Sequence, residues 1–247
     1  MKITLTLLLL ISSIPLLSRN RQDSTARPLL LTGSIDITNN GISPVPAFSL
    51  GKPAVMTAFS LQKNKFSFNH QFNYGIDGKP WSSNNWFRFQ FPWRKFVFRA
   101  GTNWSLFFKQ STIVENNQTI TVKRVNRYSE NELAVYYEVN DHLSIQAIWW
   151  HDEGLDVDAV KRGDFWSLAT EINTFPGSSY FNLKLRPNLF YLRNKIPFQG
   201  LFVSNKTTLT YKQLPLSIFF QAVQPLAADG SGKFTWNIGL NYSFNNE

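Results

Sequence analysis

Residues 234–244 alternate without a break. Phe234, Trp236, Ile238, Leu240, Tyr242 and Phe244 share one parity, and Thr235, Asn237, Gly239, Asn241 and Ser243 share the other. Successive side chains of a strand leave opposite faces, so this run has one face for apolar surroundings and one for polar ones. A helix would scatter the same residues around its circumference. A chain that repeats such a pattern must form sheet with two unlike faces.

The pattern does repeat. Phe66, Phe68, Phe72 and Tyr74 share a parity, as do Phe87, Phe89 and Phe91 against Trp86, Arg88 and Gln90. Phe96, Phe98, Ala100, Thr102, Trp104 and Leu106 oppose Arg99, Gly101, Asn103 and Ser105. Leu133, Val135, Tyr137 and Val139 oppose Glu132, Ala134, Tyr136 and Glu138, and Phe181, Leu183 and Leu185 oppose Asn182, Lys184 and Arg186. About 12 strands follow, near 29–38, 52–62, 65–75, 83–92, 95–108, 130–139, 143–151, 163–173, 179–192, 197–211, 216–224 and 232–245. Their lengths suit strands that cross a bilayer, which takes about 9–11 residues.

The connections alternate as well. Short turns are expected at Lys63-Asn64, Trp93-Arg94, Asn140–His142, Pro176-Gly177 and Lys212–Pro215. Longer loops are expected at 38–51, 75–82, 109–129, 152–162 and 225–231, with the short Arg193–Ile196 link as the exception. Short turns on one side and long loops on the other are the habit of an up-and-down transmembrane barrel. A soluble β-sandwich alternates too, but its turns are short at both ends. A turn at Lys63-Asn64 sets Leu61 opposite Phe66, Phe59 opposite Phe68 and Val55 opposite Phe72. A turn at Trp93-Arg94 sets Phe91 opposite Phe96 and Phe89 opposite Phe98.

Composition agrees with an all-β antiparallel barrel. The 247 residues include 22 Phe, yet mean hydropathy is slightly negative. Beyond the N-terminus no apolar run approaches the roughly 20 residues of a spanning helix. Cysteine is absent, which excludes disulfides and thiolate metal sites. Lys2 followed by the apolar stretch Ile3–Leu17 has the form of a signal peptide. The expected organisation is a signal peptide over 1–18, with cleavage as late as 26, then a periplasmic segment over 19–28 and a barrel over 29–247. The formal charge of +9 suits an anion-attracting surface or lumen. Export argues against a nucleic-acid partner, and no cofactor or metal motif is recognisable.

The run Asn237-Ile238-Gly239-Leu240-Asn241-Tyr242-Ser243-Phe244 resembles the C-terminal β-signal of bacterial outer-membrane barrels. Asn237, Gly239, Tyr242 and Phe244 fill its polar, glycine and aromatic positions; Asn245-Asn246-Glu247 follow, where the family pattern ends at the aromatic. The resemblance implies a Gram-negative outer-membrane location, a lipid-facing exterior and recognition by the barrel-assembly machinery. It covers barrels as a class and names no activity.

With aromatics toward lipid, Arg88, Arg99, Glu132, Glu138, Glu171, Lys184, Arg186 and Lys206 face the lumen. A lysine or arginine facing mid-membrane lipid would cost about 2–4 kcal/mol. The register places Arg88 directly opposite Arg99, with Glu138 as the compensating carboxylate. Two readings stay open: an ion-pair network that stiffens the barrel, and a basic track that selects anions. Some roughly 12-stranded barrels that pass acidic oligosaccharides are similar in size and have arginine-lined lumens, but no motif is shared.

His70 shares the parity of the lipid-facing phenylalanines, and Thr57 is its expected hydrogen-bond partner. The outer-membrane phospholipase family carries an exterior His with a Ser two residues later and an Asn partner; here that later position is Phe72. Trp149-Trp150-His151-Asp152-Glu153 reads as an interfacial aromatic belt running into a polar loop, with Asp156 and Asp158 beyond it as a weak calcium alternative. Thr112–Val122 alternates around Asn116-Asn117 and can stand above the membrane or fold into the lumen.

Three functions follow: a narrow diffusion channel for small solutes, anions among them; a non-conducting barrel acting as anchor, adhesin or complex subunit; and a lipid-acting enzyme using His70. The first is favoured, because a 12-stranded barrel is wider than the 8-stranded ones that side chains fill. No catalytic residue is assigned.

Overall fold

The computed structural model describes residues 28–43, 48–115, 118–174, 180–194, 199–211, 214–229 and 233–245. The expected signal peptide, the segment up to residue 27 and the turns at Asn116-Asn117 and Pro176-Gly177 lie outside them.

Twelve strands form: β1 (Leu30–Thr38), β2 (Ala54–Lys63), β3 (Phe66–Gly75), β4 (Pro80–Trp93), β5 (Phe96–Glu115), β6 (Gln118–Asn140), β7 (Leu143–Gly154), β8 (Arg162–Thr174), β9 (Phe181–Asn194), β10 (Gly200–Tyr211), β11 (Leu216–Ala228) and β12 (Thr235–Asn245). Each pairs antiparallel with its sequence neighbours. Pairing of β1 with β12, from Thr32↔Asn245 to Thr38↔Gly239, closes the barrel. Closure gives each strand a neighbour on both sides within the wall, while the β5–β6 stretch beyond Phe107 and Tyr128 pairs on one side alone.

The pleat sorts the side chains as the alternation requires. Phe87, Phe89, Phe91, Phe98, Leu133, Leu168, Ile218, Ile238 and Leu240 are exposed on the outer surface. An apolar belt of this extent is intolerable in water and natural in lipid. Rings pair along it: Phe96 with Tyr137 at 4.8 Å and Phe181 with Tyr211 at 5.4 Å near the short turns, and Trp166 with Tyr191 at 5.7 Å toward the other end.

Two expected registers are off by two residues. The hairpin turns are Asn64-Lys65 and Arg94-Lys95, one position later than the pattern suggests. Asn64 and Arg94 take φ of 55° and 54°, the left-handed region that mirror-image hairpin turns demand at their first residue. Leu61 therefore faces Phe68, Phe59 faces His70 and Val55 faces Tyr74. Phe91 faces Phe98, and Phe89 faces Ala100. A slip of two keeps each side chain on its own face, so the alternation is blind to it.

Residues 109–115 and 118–129, expected as loop, are strand. β5 and β6 continue as a two-stranded arm up to Glu115↔Gln118. Val114, Ile120 and Val125 on it are exposed, so the arm projects past the rim. In the connection between β1 and β2, the described residues Ile42 and Phe48 turn inward. Ile42 is buried among Phe165, Phe190, Leu192, Phe202 and Val223. Phe48 stacks on Phe107 at 4.2 Å, and its carbonyl accepts the Trp81 indole N–H at 2.7 Å.

Candidate functional site in the barrel interior

All eight expected lumen residues carry interior parity, and the structure brings three of them together. Glu132 on β6 has a fully buried side chain. It accepts Arg88 Nε at 3.0 Å and Nη2 at 3.2 Å, and Arg99 Nε at 2.6 Å and Nη2 at 3.0 Å. Trp150 Nε1 donates a fifth hydrogen bond at 2.8 Å. Two paired guanidinium contacts and an indole saturate the acceptor capacity of the carboxylate. Both guanidinium groups also lie over rings, Arg88 over Trp86 at 4.3 Å and Arg99 over Tyr136 at 4.7 Å.

This corrects two expectations. Arg88 does not oppose Arg99; Arg88 pairs with Gly101, and Gln90 with Arg99. Glu138 is not the compensator either, since it lies exposed by the short-turn end, and Glu132 takes both arginines. Gly101 makes the arrangement possible. A Cβ there would stand 2.8 Å from Arg88 Cγ and 3.1 Å from the Phe87 carbonyl oxygen. Only a missing side chain on β5 lets Arg88 on β4 reach Glu132 on β6.

Above this cluster the lumen is crossed by rings. Trp86 meets Trp150 at 5.7 Å, Trp150 meets Phe165 at 4.7 Å, Phe165 meets Phe190 at 5.5 Å and Phe190 meets Phe202 at 5.1 Å. Trp150 thus departs from the expected interfacial belt: Trp149 points outward, and Trp150 inward to Glu132. The sequence did hold the signal, because adjacent residues of a strand cannot share a face. Ile42 caps this layer, and a cavity of about 120 Å³ remains beneath Ile42, Ser43 and Phe48.

The interior toward the short turns is more polar. Lys184 pairs with Glu171 at 2.9 Å. Arg186 and Lys206 are direct cross-strand partners on β9 and β10. Arg186 Nη2 donates to Gln146 Oε1 at 3.0 Å, and Lys206 Nζ lies over the Phe219 ring at 4.3 Å. Among the described residues neither forms an ion pair. Phe219 in turn lies against Gly239, where a Cβ would stand 2.4 Å from the ring. Asn237 is buried on the same inner face and donates to the Asn40 carbonyl at 3.0 Å, while Tyr242 and Phe244 face outward.

His70 is on the outer surface, but its partner is Asn85, not Thr57. Its Nδ1 lies 2.8 Å from Asn85 Oδ1, and Thr57 Oγ1 donates to the Phe72 carbonyl at 2.9 Å. The register slip of two causes the exchange. Among the described residues no hydroxyl bonds to His70. His151 sits 3.0 Å from Asp164, which also takes Arg193 at 2.8 Å. Asp156 pairs with Arg127, and Asp158 with Lys109 and Arg124; these cations hold both carboxyls below the usual range. Among the described residues no group of three or more His, Cys, Asp or Glu converges on a metal-sized site.

No protein-family model and no curated protein matches the chain. Solved structures do. A KdgM porin in complex with disordered oligogalacturonate is similar with a TM-score of 0.51 at 11% identity, over 87% of this chain and 99% of that one. Another KdgM porin structure gives 0.50 at 12% identity, over 86% and 99%. An outer membrane channel from Pseudomonas putida F1 gives 0.51 at 8% identity, over 92% and 99%. At these identities the shared property is the fold: a closed, antiparallel, 12-strand barrel of the outer-membrane porin kind.

Proposed function

We propose that the protein is an outer-membrane channel that passes small solutes and prefers anions. The observation that carries the reading is the facing pair Arg186 and Lys206. Like charges directly opposed across strands repel; no carboxylate stands in ion-pair contact with either, and Asp36 acts on Lys206 only at longer range. A lumen that keeps two such cations offers passing anions a place to dwell. One porin of this fold was captured with an oligogalacturonate, a polyanion; the preference inferred here rests on residues of this chain. Arg88 and Arg99 share the single carboxylate of Glu132, which leaves the cluster one positive charge in excess, and they are assigned to the wall's stability. Residues 1–18 would direct export, and Asn237, Gly239, Tyr242 and Phe244 would present the closing strand to the assembly machinery.

The test is planar-bilayer conductance of the refolded protein under a KCl gradient. We expect a reversal potential of anion-selective sign that moves toward zero in Arg186→Gln with Lys206→Gln. A silent, folded barrel would refute the channel. The second reading, a non-conducting anchor or complex subunit, draws on the ring layer and Ile42, which together pack the lumen on the loop side. No enzymatic reading is proposed, because His70 lacks a nucleophile.

A further inference from the structure

The interior holds a second acidic group that the anion reading does not use. Glu130 on β6 and Asp152 on β7 are direct cross-strand partners. The interior ion pairs go to Glu132 and Glu171, not to these two. Glu130 is held by Ser105 Oγ at 2.6 Å and Asn103 Nδ2 at 2.8 Å. Asp152 Oδ2 is buried with no hydrogen-bond partner. On the β3 side, Asn73 is 4% exposed; its amide donates to Ser82 at 2.9 Å, while its Oδ1 is buried and unpartnered.

All three residues line the same cavity of about 120 Å³. Its remaining walls include Trp81, Trp86, Trp150, Phe48 and Phe107. A buried acceptor left without a donor is destabilising, and a second one on an acidic residue in the same cavity compounds that. The cavity thus presents two unpartnered acceptors, two carboxyl groups and aromatic faces, beside the side-chain amides of Gln71 and Asn84. Donors on a positive charge complete the acceptors, and ring faces attract cations further. A hard divalent metal is a poor match, since it demands about six oxygen ligands and both Glu130 oxygens are already held by Ser105 and Asn103. The volume suits a few heavy atoms.

We propose that this cavity binds a small primary ammonium ion, with Asp152, Glu130 and Asn73 accepting its N–H groups and the tryptophans walling its carbon side. The site is separate from the Arg186–Lys206 pair, and the proposal holds whether or not the barrel conducts.

Ethylammonium chloride is the probe, titrated into the refolded full-length barrel and followed by calorimetry and by tryptophan fluorescence. The probe is added before refolding in one series and after it in another. Ethanol and KCl at matched concentration are the controls. Saturable binding is expected for ethylammonium alone, weakened at least tenfold in Asp152→Asn and in Asn73→Leu. The second variant removes an acceptor without touching a charge, so it serves if Asp152→Asn fails to fold. Absence of saturable binding in both series, equal affinity for KCl, or unchanged affinity in either folded variant would overturn the assignment. Conductance is measured separately, so failure of the channel reading leaves this result standing.

Discussion

At the residue scale, one carboxylate organises the middle of the lumen. Glu132 is buried between two arginines that β4 and β5 place 44 and 33 positions away in sequence. Removing one partner from a buried, hydrogen-bonded charge set typically costs about 3–5 kcal/mol. Glu132→Gln should therefore lower the unfolding free energy of the refolded barrel by an amount in that range, obtained from urea unfolding followed by loss of heat-modifiable mobility. Arg99→Gln should cost less, because Arg88 still satisfies Glu132. Gly239 makes an independent case: a Val there collides with Phe219 in the inner wall. Gly239→Val should reduce the folded yield severalfold even in detergent, without any assembly machinery present. Normal refolding with failure only in cells would instead assign the glycine to recognition.

At the scale of elements, loop 39–53 and the β5–β6 arm exchange the roles that the sequence leaves open. Both are polar enough to be exposed, but the loop carries Ile42 and Phe48, and these find apolar partners inside the mouth. Truncating a buried Ile to Ala costs about 2–5 kcal/mol of seating. Ile42→Ala should raise single-channel conductance, whereas shortening the arm around 112–122 should leave it unchanged. The same loop is tied to its neighbour through Asp77, which pairs with Lys52 at 2.8 Å and Lys79 at 3.6 Å. The hydrogen bond from Lys52 is the main cause that lowers the Asp77 pKa to about 2. A carboxyl lowered in the folded state contributes fully above its ordinary value of 3.8 and loses that contribution as pH falls through about 2. Titration of Asp77 by carboxyl-carbon NMR should give a midpoint near 2, and Lys52→Gln should move it up toward the ordinary value.

At the scale of the whole molecule, alternation together with the rhythm of short turns and long loops yields the fold class, about 12 strands and the face that most side chains take. Those are properties of the pleat, which is local and repeats every two residues. That is why the expected strands lie close to the observed ones except where β5 and β6 run on as an arm. What alternation does not carry is anything modulo two. The turns at Asn64-Lys65 and Arg94-Lys95 shift two hairpins by a pair of residues, and with that shift His70 exchanges Thr57 for Asn85 and Arg88 exchanges Arg99 for Gly101. Nor does a local pattern carry contacts across the lumen. Arg88 on β4 against Glu132 on β6, Trp86 on β4 against Trp150 on β7 and Ile42 among Phe165, Phe190 and Phe202 join segments that do not pair in the sheet. Their meeting depends on closure of the wall and on the relative height of strands around it, which only the tertiary structure decides.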